Sequence, residues 1–249
     1  MVYCRSMYIH PITGAIREIV SIFSEMGFMV ADGPELEDEW HNFDALNVPK
    51  NHPARDMQDT FWLPDAPDTE TGGRVMRTHT SPVQIRWMKT HTAPIRIIVP
   101  GKVYRNEATD MTHEAQFYQI EGLAIDETVS LAQLKGTLGH FFSKFFGGDV
   151  EIRFRPSYFP FVEPGVEVDM RISGDGVSEK LRNKWIEIMG AGMVHPNVLN
   201  GVGINPKKYQ GFAFGVGLER LAMLKWGIDD VRAFHTGDLR FIQQFRAEK

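Results

Sequence analysis

The chain has 249 residues, 43% of them hydrophobic and 24% charged, with a formal net charge of −5 and one cysteine, Cys4. That length fits one large domain or two at most, with ample apolar content for a core. The acidic balance excludes nucleic-acid binding through bulk charge, and the lone cysteine excludes an internal disulfide or a Cys-based zinc site.

The predicted elements begin with "ITGAIREIVSIFSEM" (12–26), where Ile12, Ile16, Ile19, Val20 and Phe23 recur at helical spacing and Gly27 provides a stop. Residues 28–75 are rich in Pro, Asp, Asn and His and read as short elements joined by loops. "RTHTSP" (77–82) brings His79 and Ser81 to one face if extended, and also reads as a helix start at Thr80 or Ser81 ahead of Pro82; "QIRWMK" (84–89) reads as part of a helix. Strands are expected over 95–105 and 115–126, then a helix over 131–148 closed by paired glycines. Three more strands follow over 149–161, 165–172 and 184–194. The small-residue strand "GFAFGVG" then leads into a helix over 217–228. Antiparallel strands with helices at their ends make this an α+β chain. No repeat, low-complexity tract or linker divides it, so one domain over 1–249 is expected. No apolar run is long enough to span a membrane, and "MVYCRSMYIHPITG" lacks a signal-peptide core, so the expected compartment is the cytoplasm.

Period-two alternation puts Phe117, Gln119, Glu121 and Leu123 on one strand face. Gln119 and Glu121 side by side can grip an ammonium group, though an isolated pair also suits a solvated face. Arg105 ends a strand, where its planar fork can bind two phosphate oxygens or simply pair with Glu107 on the surface. In "SYFPFVEP" (157–164), Phe159 and Phe161 share a face if the segment is extended, and Pro160 assigns it to a sheet edge or end. Two rings on one face either fill a core or wall a pocket. Glycines in 190–192 and 211–217 allow close approach of a ligand or of packed elements. No hydrolase elbow, P-loop or zinc-ligand spacing occurs.

The ordered set "HPI", "GPELEDEWHNFDALNVPKNHPARDMQDTFW", "RTHTSPVQIRWM", "VPGKVYRNEATDMTHEAQFYQIEG", "RPSYFPFVEPG", "GAGMVHPNVL" and "GFAFGVGLERLAMLKWGI" resembles the alpha subunits of bacterial phenylalanyl-tRNA synthetases from about His10 to Phe245. It includes all three class II signature motifs. The resemblance implies an antiparallel sheet flanked by helices, binding ATP and L-phenylalanine and charging tRNA(Phe). It implies that Arg105 contacts the α-phosphate and Arg220 the other end of the nucleotide, with Glu107 and His113 around it. His79, Ser81, Gln119 and Glu121 would hold the amino group and carboxylate of the amino acid. Phe159 and Phe161 would wall the side-chain pocket, with Val162 and Ala213 lining it and Gly190, Ala191 and Gly192 leaving room against the backbone. Glu163 resembles a Mg²⁺ ligand in a site completed by a beta subunit, within an expected α2β2 heterotetramer.

The sequence departs from that pattern in two places. Only nine residues precede His10, where the family carries a coiled-coil extension that helps to bind tRNA, so a truncation with poor tRNA charging is expected. Gln58 stands where some relatives place a Trp beside the ligand. A non-catalytic paralogue and a class II-like ligase with another acceptor are the competing readings. Arg105, Glu121 and Arg220 together disfavour the first, and the Phe159, Phe161 and Ala213 set disfavours the second.

Overall fold

A computed structural model of the chain describes residues 8–56, 59–63, 72–147, 149–173 and 182–246. Cys4, Gln58 and the second of the paired glycines, Gly148, lie outside them. Helix α1 (Pro11–Glu25) starts as the sequence predicts. Pro11 occupies its first turn, and the His10 imidazole accepts from the Ile12 amide at 3.3 Å. Gly27 follows it in the left-handed region at φ 81°. Among the described residues of 28–76 there are only short elements: β1 (Met29–Val30), β2 (Leu36–Asp38), α2 (Glu39–Asn42), 3-10 turns at Asp44–Leu46 and Pro53–Arg55, and β3 (Arg74–Met76).

The longer elements follow: α3 (Ser81–Thr90), β4 (Ile95–Tyr104), β5 (Gln116–Asp126), α4 (Leu131–Phe146), β6 (Asp149–Phe159), β7 (Val162–Ser173), β8 (Ile186–Val194), α5 (Pro196–Gly201), β9 (Gln210–Gly217), α6 (Leu218–Trp226), a 3-10 turn at Val231–Phe234 and α7 (Leu239–Ile242). A capping box between Ser130 and Gln133 opens α4. Seven strands form one sheet in the order β1-β4-β5-β9-β8-β7-β6. Only β1 runs parallel to its neighbour; every other pairing is antiparallel.

Alternation sorts side chains onto the two faces of this sheet. Ile98 on β4, Ile120 and Ala124 on β5, Val166, Val168 and Met170 on β7, and Phe212 and Phe214 on β9 join one core with α1, α4 and α6. Ile97, Val99, Leu123 and Ile125 face the other way and pack with Phe43, Leu46, Val83, Val198 and Leu199. The second face carries fewer regular elements, and a cavity opens there.

One strand prediction is corrected. The run 149–161 is not a continuous strand: β6 stops at Phe159, residues 160 and 161 make a turn, and Phe159 pairs with Val162 across it. Pro160 has no amide hydrogen to give a ladder and its fixed φ suits a turn. β6 is one of the two edge strands of the sheet, consistent with the edge or end that Pro160 indicated. β1, α5 and α7 were not foreseen.

Candidate active site

The cavity has a volume of about 540 Å³, within the range of small-molecule sites, and rests against β5, β8 and β9. Its polar end is organised by Glu121 on β5. This carboxylate accepts from the Thr80 amide (3.2 Å), the Ser81 hydroxyl (2.5 Å) and the Gln84 amide group (3.0 Å), all at the start of α3. Thr80 begins α3 without a side-chain cap bond of its own, and the carboxylate from β5 lies against this positive helix end, accepting from the N-cap amide. Glu121 is only 5% exposed, which rules out the solvated-face alternative. Burial raises its pKa to about 7 against the opposing pull of its hydrogen bonds and of Arg105 and Arg77.

His79 and Gln119 complete this end. Burial, then Arg105 and Arg77, lower the His79 pKa to about 3, so the imidazole is neutral across the working pH range. Its Nδ1 and the Gln119 Oε1 are buried atoms without a hydrogen-bond partner among the described residues. Polar atoms in that condition are costly unless something meets them. Arg105 also lines the cavity, donates from Nε to the Thr78 carbonyl at 3.2 Å and lies 5.1 Å from the Phe117 ring centroid. Burial lowers its pKa, while Glu107, Glu121 and Asp59 raise it. The guanidinium thus sits among three carboxylates rather than in one surface pair with Glu107.

The apolar end is made by Phe159, Pro160, Phe161 and Val162 at the β6–β7 turn, with Leu46, Val48, Val198 and Ala213. The Phe159 and Phe161 rings stack with centroids 6.0 Å apart and an interplanar angle of 19°. They come together through the turn, not through strand alternation. Gly190 faces Phe159: a Cβ there would meet the ring's Cζ at 2.9 Å. Gly215 leaves room for Glu121, whose Cγ would be 2.9 Å from an added Cβ.

Four sequence-derived candidates lie outside the cavity lining. Gly192 serves the sheet instead, since an added Cβ would stand 2.5 Å from the Pro164 carbonyl oxygen. His113 is exposed and bound to Asp110 at 3.0 Å. Arg220 is exposed on α6 and donates to the Glu187 carbonyl at 3.2 and 2.7 Å. Glu163 is 73% exposed, 3.2 Å from the His195 ring nitrogen. A lone exposed carboxylate beside a histidine does not make a Mg²⁺ site from this chain's residues; a metal there would need donors from elsewhere. Asp59 and Glu107 do line the cavity near Arg105 and offer the hard oxygen donors that suit hydrated Mg²⁺. Glu37, Asp38 and His41 also cluster, but Arg86 grips Glu37 at 2.9 and 2.5 Å and Asp38 caps the His41 amide at 2.8 Å. Phe43, Gln84, Leu123 and Phe214 also line the cavity without having been foreseen.

A mixed sheet with one helical face, and on the other a cavity joining a half-buried arginine to an aromatic end, is the plan of a class II synthetase core. The family model described as tRNA synthetases class II core domain (F) matches residues 2–245. The pyrrolysyl-tRNA synthetase of Desulfitobacterium hafniense shares the fold at a TM-score of 0.68 and 18% identity, over 95% of this chain and 77% of that one. The chain is 54% identical over 240 residues to the phenylalanine–tRNA ligase alpha subunit of Dehalococcoides mccartyi, covering 95% of this chain and 69% of the relative. The corresponding subunit of Bacillus subtilis is 55% identical over 242 residues, covering 95% and 68%. The chain belongs to the family of phenylalanine–tRNA ligase alpha subunits.

The raised pKa of Glu121 predicts a pH dependence. A folded-state value of about 7 lies above the ordinary 4.5, so the folded chain holds the extra proton between those values. Its contribution to stability is therefore largest at low pH and declines as pH rises through about 7. Were Glu121 to hold an ammonium ligand, binding would have the opposite sign, because it needs the carboxylate. Phenylalanine affinity should fall about tenfold per pH unit below about 7, measured by calorimetry from pH 5.5 to 8. Glu121→Gln should bind weakly with a flat profile. Glu219 also has a pKa raised to about 7 by burial, but it accepts from the Tyr118 amide and does not line the cavity, so Glu219→Gln should keep the slope.

Proposed function

We propose that this chain is the catalytic alpha subunit of a phenylalanine–tRNA ligase, activating L-phenylalanine with ATP and passing the phenylalanyl group to tRNA(Phe). The observation that carries this reading is one cavity joining stacked Phe159 and Phe161 to buried Glu121 and to Arg105. The substrate ring lies between the turn and Ala213, where an aromatic pair adds about 0.5–1.5 kcal/mol beyond area burial. Its ammonium meets Glu121 and the unpartnered Gln119 oxygen, with Ser81 and neutral His79 beside them.

The substrate carboxylate then points toward Arg105. It attacks the α-phosphorus of ATP, a new P–O bond forms, the bond to the β-phosphate oxygen breaks and pyrophosphate leaves. Arg105 stabilises charge developing on the α-phosphate, and no covalent enzyme intermediate is required. Mg²⁺ accompanying ATP would neutralise pyrophosphate charge, with Asp59 and Glu107 as the cavity carboxylates to hold it. A ribose hydroxyl of tRNA then attacks the carbonyl carbon and AMP leaves. Arg220 and His113, outside the lining, belong to the rim over which nucleotide or tRNA extends.

A beta subunit is the proposed partner, in an α2β2 assembly, and supplies the remaining donors for a metal at Glu163. ATP–pyrophosphate exchange with each amino acid, on the chain alone and with a beta subunit, tests the reading. Exchange stimulated by phenylalanine above all others is expected. Stimulation by a different amino acid, or none in either form, would overturn it.

A further inference from the structure

The rings that wall the cavity stand on a turn at the edge of the sheet, so something must hold that turn in place. Two groups do. The His195 amide donates to the Phe161 carbonyl at 2.9 Å. The Asn47 side chain donates from Nδ2 to the Pro160 carbonyl at 2.7 Å. The Asn47 Oδ1 in turn accepts from Asn197 on α5 at 3.1 Å. Asn47 itself sits in the left-handed region at φ 59°, at the end of the Asp44–Leu46 turn. Asparagine tolerates that conformation better than other side-chain-bearing residues except aspartate. Its chain neighbours, Leu46 and Val48, line the cavity themselves.

We infer that Asn47 is a positioning residue for amino-acid specificity: its amide fixes the Pro160 carbonyl, and thereby the depth at which Phe159 and Phe161 stand in the cavity. This rests on the reading of the cavity as the phenylalanine site. Leu46, Val48 and Val198 line the same cavity as the rings and lie on the segments that Asn47 links, and Phe161 packs against their cluster, so one side chain ties three walls together. A ring wall that shifts by a fraction of an ångström admits a longer substrate and grips the right one less well. ATP, bound toward Arg105, does not feel it.

The experiment compares Asn47→Asp and Asn47→Gly with the unaltered chain, in the assembled ligase, by pyrophosphate exchange with phenylalanine and tyrosine. Aspartate keeps the left-handed backbone and can still accept from Asn197, but it cannot donate to Pro160. Glycine keeps the backbone free of strain and removes both bonds. Loss of one hydrogen bond predicts a KM for phenylalanine raised about 3- to 10-fold in both. The tyrosine-to-phenylalanine ratio of kcat/KM should rise by a similar factor, while the KM for ATP and the kcat at saturating phenylalanine stay within about twofold. A merely structural role would lower the melting temperature and leave the amino-acid ratio unchanged. That result, or an unchanged KM for phenylalanine in folded Asn47→Asp, overturns the proposal. Exposed Asn197→Ala removes only the outer bond, and should move the ratio the same way by less. If the Asn47 variants fold poorly, an unmoved ratio in Asn197→Ala overturns the proposal instead. Failure of the unaltered ligase to use phenylalanine would strike the functional reading, not the role of Asn47.

Discussion

Arg105→Ala is expected to leave a folded chain whose phenylalanine-dependent pyrophosphate exchange falls by about 100- to 1,000-fold, the range for losing one preorganised donor to a charged transition state. The fold should survive because burial already disfavours this guanidinium, and its hydrogen bond to the Thr78 carbonyl is long at 3.2 Å. Three carboxylates nearby offset the cost of keeping it charged there. Arg105→Lys keeps the charge but not the planar fork, so exchange should recover only in part. The KM for phenylalanine should change far less than kcat, because Glu121 and the aromatic turn remain. Exchange kinetics together with a melting curve decide the matter. Near-normal exchange in Arg105→Ala would remove the phosphate role, and a collapsed melting temperature would reassign Arg105 to the scaffold.

Ala213→Gly and Ala213→Val should move specificity in opposite directions. Ala213 lies on β9 opposite Leu123 and Gly192, half-buried, with its methyl on the cavity wall. Removing that methyl lengthens the pocket beyond the substrate ring. Para-chlorophenylalanine should then be accepted, and discrimination against tyrosine should weaken by about tenfold, because an apolar pocket rejects an added hydroxyl only modestly once the space exists. Valine should close the same space and reduce kcat/KM for phenylalanine by about 10- to 200-fold. If Ala213 merely packs the sheet, glycine would cost about 0.5–1 kcal/mol of stability and change no ratio. Exchange kinetics with the three amino acids on the three forms separate these outcomes; constant kcat/KM ratios would remove Ala213 from the pocket.

What the sequence made legible was whatever depends on near neighbours. Period two put Gln119, Glu121 and Leu123 on one face, and the structure keeps them there. The start of α3 at "HTSP" was equally plain. The saturation of Glu121 was not, because its three donors lie 37 to 41 residues away and reach it only once α3 packs on the sheet. The aromatic pair was found by a rule that does not apply to it: alternation along a strand predicts the same juxtaposition that a proline turn produces by reversing the chain. Phe43, Leu46 and Val198 carry no local sign of a site: they belong to the second core, and the same side chains line the cavity. A missed signal for α5 was present in the "HP" pairs. His10, His52 and His195 each precede a proline, and each accepts a hydrogen bond from the amide two residues on, opening α1, a 3-10 turn and α5.

The position of β9 between β5 and β8 bears on how the site comes into being during synthesis. Before residues 210–217 exist, β1-β4-β5 and β8-β7-β6 are two separate ribbons with no ladder between them. The first ribbon carries Glu121 and Arg105, and the second carries Phe159 and Gly190. A nascent chain on the ribosome can therefore form both halves of the cavity without having a cavity. Closure waits for residues 210–217, which pair with partners about 90 positions earlier on one side and about 20 on the other. Capture of an aminoacyl-adenylate analogue by stalled chains of increasing length should appear in one step, after β9 has left the exit tunnel, and would mark the moment at which the two ribbons become one sheet.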